Sequence, residues 1–176
     1  MSRYARVERE RRFLLAAPPA PAAVTVTRRI VDRYLDRTRL RLRRIEAPDG
    51  AILERKLTQK LPGDGSGAVR GLITTIYLSD AEYAALAVVP AAVLTKTRLS
   101  IPPLGVDVFD APWHGLVLAE AEFDTDAEAL AFAPPAGAVA EVTDDRRFAG
   151  GSLARARRDE LLGWLAGYRL RPGPKR

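Results

Sequence analysis

Thr38-Arg39-Leu40-Arg41-Leu42-Arg43-Arg44 alternates arginine with leucine before ending on a second arginine. Successive side chains of a β-strand point to opposite faces, so Arg39, Arg41 and Arg43 share one side and the leucines the other. Pro48-Asp49-Gly50 is a turn signal that folds this strand against residues 52–60 as a hairpin. In that second strand Glu54, Lys56, Thr58 and Lys60 share a face. The pattern recurs outward in both directions: Glu8, Glu10 and Arg12 in strand 7–15, Lys96 and Arg98 in 93–101, and Glu120 and Glu122 in 116–123. Residues 69–78 and 105–109 supply further strand candidates, and 24–34, β-branched enough for a strand at its start, is ambiguous.

A half-buried strand normally turns its apolar face inward and its charges to water. Here helices also need apolar surface to pack on. Ser79-Asp80-Ala81-Glu82 is a capping box opening a helix to about 89, and 124–132 is an alanine-rich helix. Residues 152–168 form an amphipathic helix with Leu153, Leu161, Leu162, Trp164 and Leu165 as its buried set. If helices cover the leucine faces, the charged faces converge inside a closed, mainly antiparallel barrel with a polar lumen, an α+β fold. An open sheet with a wet charged face accounts for the same alternation. Cations crowded in a lumen repel one another, and a polyphosphate would relieve them. The Glu8/Glu10 and Glu120/Glu122 pairs present adjacent carboxylates of the kind that hold Mg²⁺ or Mn²⁺.

Composition agrees with a small oxygen-ligated site. The 176 residues include 28 Lys+Arg, 22 Asp+Glu, one His and no Cys, which excludes disulfide scaffolds, thiol catalysis and cysteine metal sites. The length suits one domain, 1–168, followed by a basic disordered tail at 169–176. No uncharged run reaches the ~18 residues of a membrane span. Residues 13–27 are uncharged, but Glu8, Glu10 and Pro18, Pro19 and Pro21 argue against a signal peptide, and a cytoplasmic protein is expected. Residues 1–60 carry 16 basic and 7 acidic groups, residues 61–154 carry 5 and 13, and residues 155–176 carry 7 and 2. Such basic ends can serve nucleic acid, but ordered cations facing a narrow lumen disfavour it. Only Lys56, Lys60, Lys96 and Lys175 are lysines, against 24 arginines. The glycines of Gly63-Asp64-Gly65-Ser66-Gly67 lack the Gly-Lys-Ser/Thr of a phosphate loop.

Taken in order, these stretches resemble the CYTH superfamily of triphosphate tunnel metalloenzymes. Val7-Glu8-Arg9-Glu10-Arg11-Arg12 resembles its Glu-x-Glu-x-Lys signature, with Arg12 at the Lys position. Tyr34-Leu35 with Leu40-Arg41-Leu42-Arg43, Leu57-Thr58-Gln59-Lys60 and Lys96-Thr97-Arg98 match its next strands. Val106-Asp107-Val108-Phe109 and Ala119-Glu120-Ala121-Glu122-Phe123 resemble its metal-side strands. Glu141-Val142-Thr143-Asp144-Asp145-Arg146-Arg147-Phe148 resembles its closing segment.

The resemblance implies an eight-stranded tunnel in which a triphosphatase, a metal-dependent phosphoric anhydride hydrolase, cleaves inorganic tripolyphosphate or an organic triphosphate. It implies Mg²⁺ or Mn²⁺ on Glu8, Glu10, Glu120 and Glu122, and phosphate on Arg12, Arg39, Arg41, Arg43, Lys60, Arg98 and Arg147. Glu8, Glu10, Lys96 and Tyr34 are the catalytic candidates. Two departures stand out: Arg12 replaces lysine, and Arg70 is followed by Leu72 and Thr74 where relatives often carry two acids. They leave open a non-catalytic polyphosphate- or nucleotide-binding module, and relatives that cyclise ATP leave open a class IV-type adenylate cyclase. His114, in a Pro-Trp-His-Gly turn, reads as a surface histidine. The sequence is silent on oligomeric state.

Overall fold

The structure, a computed structural model, describes residues 4–63 and 68–171. Most of the glycine-rich loop and most of the basic tail lie outside the described residues. The described chain runs β1 (Arg6–Leu15), β2 (Val26–Leu35), β3 (Leu40–Glu46), β4 (Ile52–Pro62), β5 (Val69–Tyr77), α1 (Asp80–Ala87), β6 (Ala91–Ile101), β7 (Leu104–Phe109) and β8 (Val117–Glu122). It ends with α2 (Asp126–Ala131), β9 (Ala138–Glu141), α3 (Gly150–Leu153) and α4 (Arg158–Gly167).

The strands hydrogen-bond in the order β5-β4-β3-β2-β6-β7-β8-β1, and β1 closes the ring on β5. Every neighbouring pair is antiparallel. The first half of β1 pairs with β5 (Arg6 opposite Ile73) and the second half with β8 (Glu10 opposite Glu122). β9 adds to the free edge of β1 beside Phe13 and Leu14. The result is a closed eight-stranded barrel with helices outside, as the resemblance implies, and the open sheet that the alternation alone allowed is set aside.

Residues directly opposite in an antiparallel ladder share a face, so the register fixes what looks inward. Arg12 lies opposite Glu120, Asp32 opposite Arg43, Tyr34 opposite Arg41, Arg43 opposite Lys56 and Arg98 opposite Asp107. The outer face is apolar and covered. Phe13, Leu15, Val106 and Val117 form one buried cluster with Phe132, just beyond α2. Leu35 and Leu42 pack under Tyr83 of α1. The capping boxes form at both predicted starts: Glu82 and Ser79 exchange backbone contacts on α1, and Glu128 and Thr125 on α2.

Toward one end the inward face itself turns to hydrocarbon. Leu14, Leu94, Phe109 and Leu118 continue the rows of Arg12, Lys96, Asp107 and Glu120, and all are buried. Phe148, Leu153, Leu161 and Leu165 from the C-terminal segment pack into them and cork the barrel.

The predicted helix 152–168 is two helices, α3 and α4, separated at 154–157. Arg158 ties the start of α4 to the carbonyls of Pro112 and His114 at 3.1 and 2.5 Å. Of its predicted buried set, Leu153, Leu161 and Leu165 are buried, while Leu162 is 40% exposed and Trp164 packs at the cluster edge. No helix among the described residues is long and apolar enough to cross a membrane.

Candidate active site in the barrel lumen

Above the cork the lumen forms a cavity of about 490 Å³. Glu8, Glu10 and Arg12 of β1 line it, with Tyr34 of β2, Arg41 and Arg43 of β3, Lys60 of β4, Lys96 and Arg98 of β6, and Glu120 and Glu122 of β8. Nearly every predicted site residue therefore converges on one space. Arg39 and Arg147 do not. Arg39 is exposed just before β3 begins. Arg147 grips Asp145 outside the lumen, with Nη2 at 2.6 Å, and lies over the rings of Phe148 and Trp164. The closing motif thus serves the cork: Tyr168 also donates to Asp145, at 2.9 Å.

β5 presents Ile73, Thr75 and Tyr77 to the cavity, not Leu72 and Thr74, which face the other way. The side chain of Arg70 lies outside the described residues. Gly71, with φ +130°, shares the inward row with Ile73, and a Cβ there would lie 2.0 Å from the Leu61 carbonyl oxygen. That wall still carries no acid.

Two fully buried carboxylates that the sequence reading did not assign organise the cations. Asp32 accepts two hydrogen bonds from Arg43, at 2.6 and 2.7 Å. Asp107 accepts two from Arg98, both at 2.7 Å, and one from Lys96. Burial pushes the Asp32 carboxyl up, but Arg43 and Arg41 outweigh it and hold it well below the usual carboxylate range. The expected like-charge strain is therefore largely neutralised from within.

Arg41 is the exception. Its Nε is buried with no hydrogen-bond partner, and it stands 3.7 Å from an Asp32 oxygen that Arg43 already occupies. A buried guanidinium donor left over beside a cavity has the chemistry to take an anion.

The four glutamates lie on adjoining strands. Lys60 bonds Glu8 at 2.5 Å. Arg12 bonds Glu10, and its Nε reaches Glu120 at 3.1 Å. The other Glu120 oxygen accepts from Arg98 at 2.5 Å. Burial, then repulsion from Glu120, raises the Glu10 carboxyl above its ordinary value despite Arg12 and Lys60. For Glu120 the cations Lys96, Arg98 and Arg12 overcome burial and hold it well below. Burial also lowers Lys96, more than Asp107 and Glu120 raise it. Tyr34 is pushed up to about 12 by burial and by Asp32, so its hydroxyl keeps its proton.

Carboxylate oxygens suit Mg²⁺ or Mn²⁺ in kind. In arrangement, no three acidic or histidine side chains among the described residues are gathered for a metal. The fit is one of donor chemistry, with arginine and lysine now holding the donors.

A closed antiparallel barrel with a lumen of facing cations and carboxylates is the CYTH-type tunnel fold. Two solved structures of one protein share it. "The crystal structure of the inorganic triphosphatase NE1496" is 24% identical, with a TM-score of 0.56, covering 86% of this chain and 97% of that one. A second, described as the hypothetical protein NE1496, is 26% identical, with a TM-score of 0.54, covering 85% and 98%. No family model matches the sequence, and no curated protein does.

Proposed function

We propose that the chain hydrolyses a triphosphate bound in the lumen, inorganic or organic, with the help of a divalent metal. The observation that carries this is the luminal cavity in which Arg41, Arg43, Lys60, Lys96 and Arg98 face Glu8, Glu10, Glu120 and Glu122. Similarity to a protein described as an inorganic triphosphatase supports the same reading.

Arg41 provides a ready anchor for phosphate oxygens. Asp32 and Asp107 fix the forks of Arg43 and Arg98, so donors meet the substrate already oriented. Hydrolysis is an in-line attack by water on a terminal phosphoryl group, which breaks the anhydride bond and releases the shortened phosphate chain. Lys96, whose ammonium proton burial loosens, stands on the same wall to protonate the departing oxygen. Tyr34, on the neighbouring strand β2 and lining the same cavity, is suited to donate a hydrogen bond rather than to ionise. Glu10 and Glu120, flanked by Glu8 and Glu122, would hold Mg²⁺ or Mn²⁺, which when bound supplies further neutralisation of phosphate charge.

The test is a substrate panel of tripolyphosphate, ATP and thiamine triphosphate, each with Mg²⁺ and with Mn²⁺. Orthophosphate release that stops on chelation is expected. Absence of release from every substrate with both metals would sink the proposal, and tight metal-independent binding without turnover would make the lumen a binding module. Cyclic nucleotide formed from ATP would make the protein a cyclase.

A further inference from the structure

Arg12 is held more tightly than a phosphate-binding arginine needs to be. Its Nη2 donates to Glu10, its Nε to Glu120 at 3.1 Å and its Nη1 to the Phe148 carbonyl at 3.0 Å. Its backbone N–H is fixed by Thr143 Oγ1 at 3.0 Å. The guanidinium thus lies between two carboxylates of neighbouring strands, with all three of its nitrogens engaged. Side-chain exposure is 11% for Arg12, 7% for Glu10 and 16% for Glu120, so water cannot substitute cheaply for any of these contacts.

We infer that Arg12 is a built-in counter-cation of the Glu10–Glu120 pair, and that a divalent cation binds there only by displacing it. This rests on the reading of that pair as the metal-holding carboxylates. The planar fork satisfies both acids at once, whereas a point-charge ammonium could not span them with the same geometry. Metal alone therefore meets an occupied site. A polyphosphate in the lumen offers the guanidinium new acceptors, so anion and metal load together. The two affinities are linked: each ligand strengthens the other by the same factor.

The test is titration calorimetry with Mn²⁺ alone on the wild type and on Arg12→Gln, with tripolyphosphate hydrolysis followed in parallel. Mn²⁺ is expected to bind Arg12→Gln more tightly than wild type by roughly tenfold or more, the usual scale of a coupled pair. A second measurement on the wild type needs no variant to fold. The Arg12 Nε–H resonance is expected to exchange slowly in the free protein and to lose that protection as Mg²⁺ saturates. Equal Mn²⁺ affinity in both proteins, or an Arg12 Nε–H unmoved by saturating Mg²⁺, overturns the displacement but leaves metal-dependent hydrolysis standing. No Mn²⁺ binding by either protein, with hydrolysis undiminished in chelator, overturns both.

Discussion

Asp32 has no exposure to solvent, yet two arginines depend on it. Removing Arg43 would take both hydrogen bonds from a fully buried carboxylate and leave it facing Arg41, at 3.7 Å. Arg43→Ala is therefore expected to cost about 3–5 kcal/mol in urea unfolding. Arg41→Ala should lower stability far less, since its Nε makes no hydrogen bond. It should instead raise KM roughly ten- to hundredfold, the weight of a hydrogen bond to a charged group. The depressed Asp32 carboxyl contributes stability that is complete above the unfolded value of about 3.9 and is lost as pH falls toward its folded value. Urea midpoints should fall in acid below about pH 4, and this part of the slope should vanish in Asp32→Asn. For Lys96, the alkaline limb of kcat is expected below the ordinary lysine value of about 10.4 and should move upward in Lys96→Arg. The luminal cations were legible because alternation reveals a face. Asp32 and Asp107 were not assigned roles, because alternation does not say which acid from another strand stands opposite. That depends on register.

At the scale of the element, two glycines hold the lumen's walls where they are. A Cβ on Gly150 would come within 1.9 Å of the Tyr34 hydroxyl oxygen. Gly150→Ala must therefore move either α3 or the ring, and activity is expected to fall more than the melting temperature. At Gly71 the obstruction is backbone, and the positive φ adds about 1–3 kcal/mol of strain for any other residue. Calorimetry of Gly71→Ala should show a loss of at least that size. The inward row of β5 escaped the sequence reading for a related reason. Val-Arg-Gly-Leu-Ile-Thr-Thr-Ile-Tyr has apolar residues in both phases, so periodicity leaves its face undecided. Strands β3 and β8, with clean alternation, left no such choice. The closing segment was legible as a motif, but not its packing: Arg147 follows Asp145 onto the cork, where the cation lies against aromatic rings.

Across the whole molecule, part of the basic excess in the sequence is turned inward, where arginines and lysines meet carboxylates around the luminal cavity. The fold was readable because several strands, β3 most plainly, follow one rule, charge on one face and apolar side chains on the other, and helices then have a single surface to cover. What the rule omits is the end of the barrel, where it lapses and Leu14, Leu94, Phe109 and Leu118 occupy the charged rows. Leu161, wholly buried in that cork, is expected to cost about 2–5 kcal/mol when cut to alanine, as measured by chemical denaturation. The cork also sets a direction of traffic. With one end filled, a linear polyphosphate of the proposed substrate class would enter head first and could not thread through, so it would meet the proposed reactive groups only by its terminus. A long-chain polyphosphate should then shorten from its ends, its gel band moving down steadily as orthophosphate appears rather than breaking abruptly in mid-chain, and a chain capped at both ends should resist. The barrel would act as a depth gauge that reads the last few phosphates and nothing beyond them.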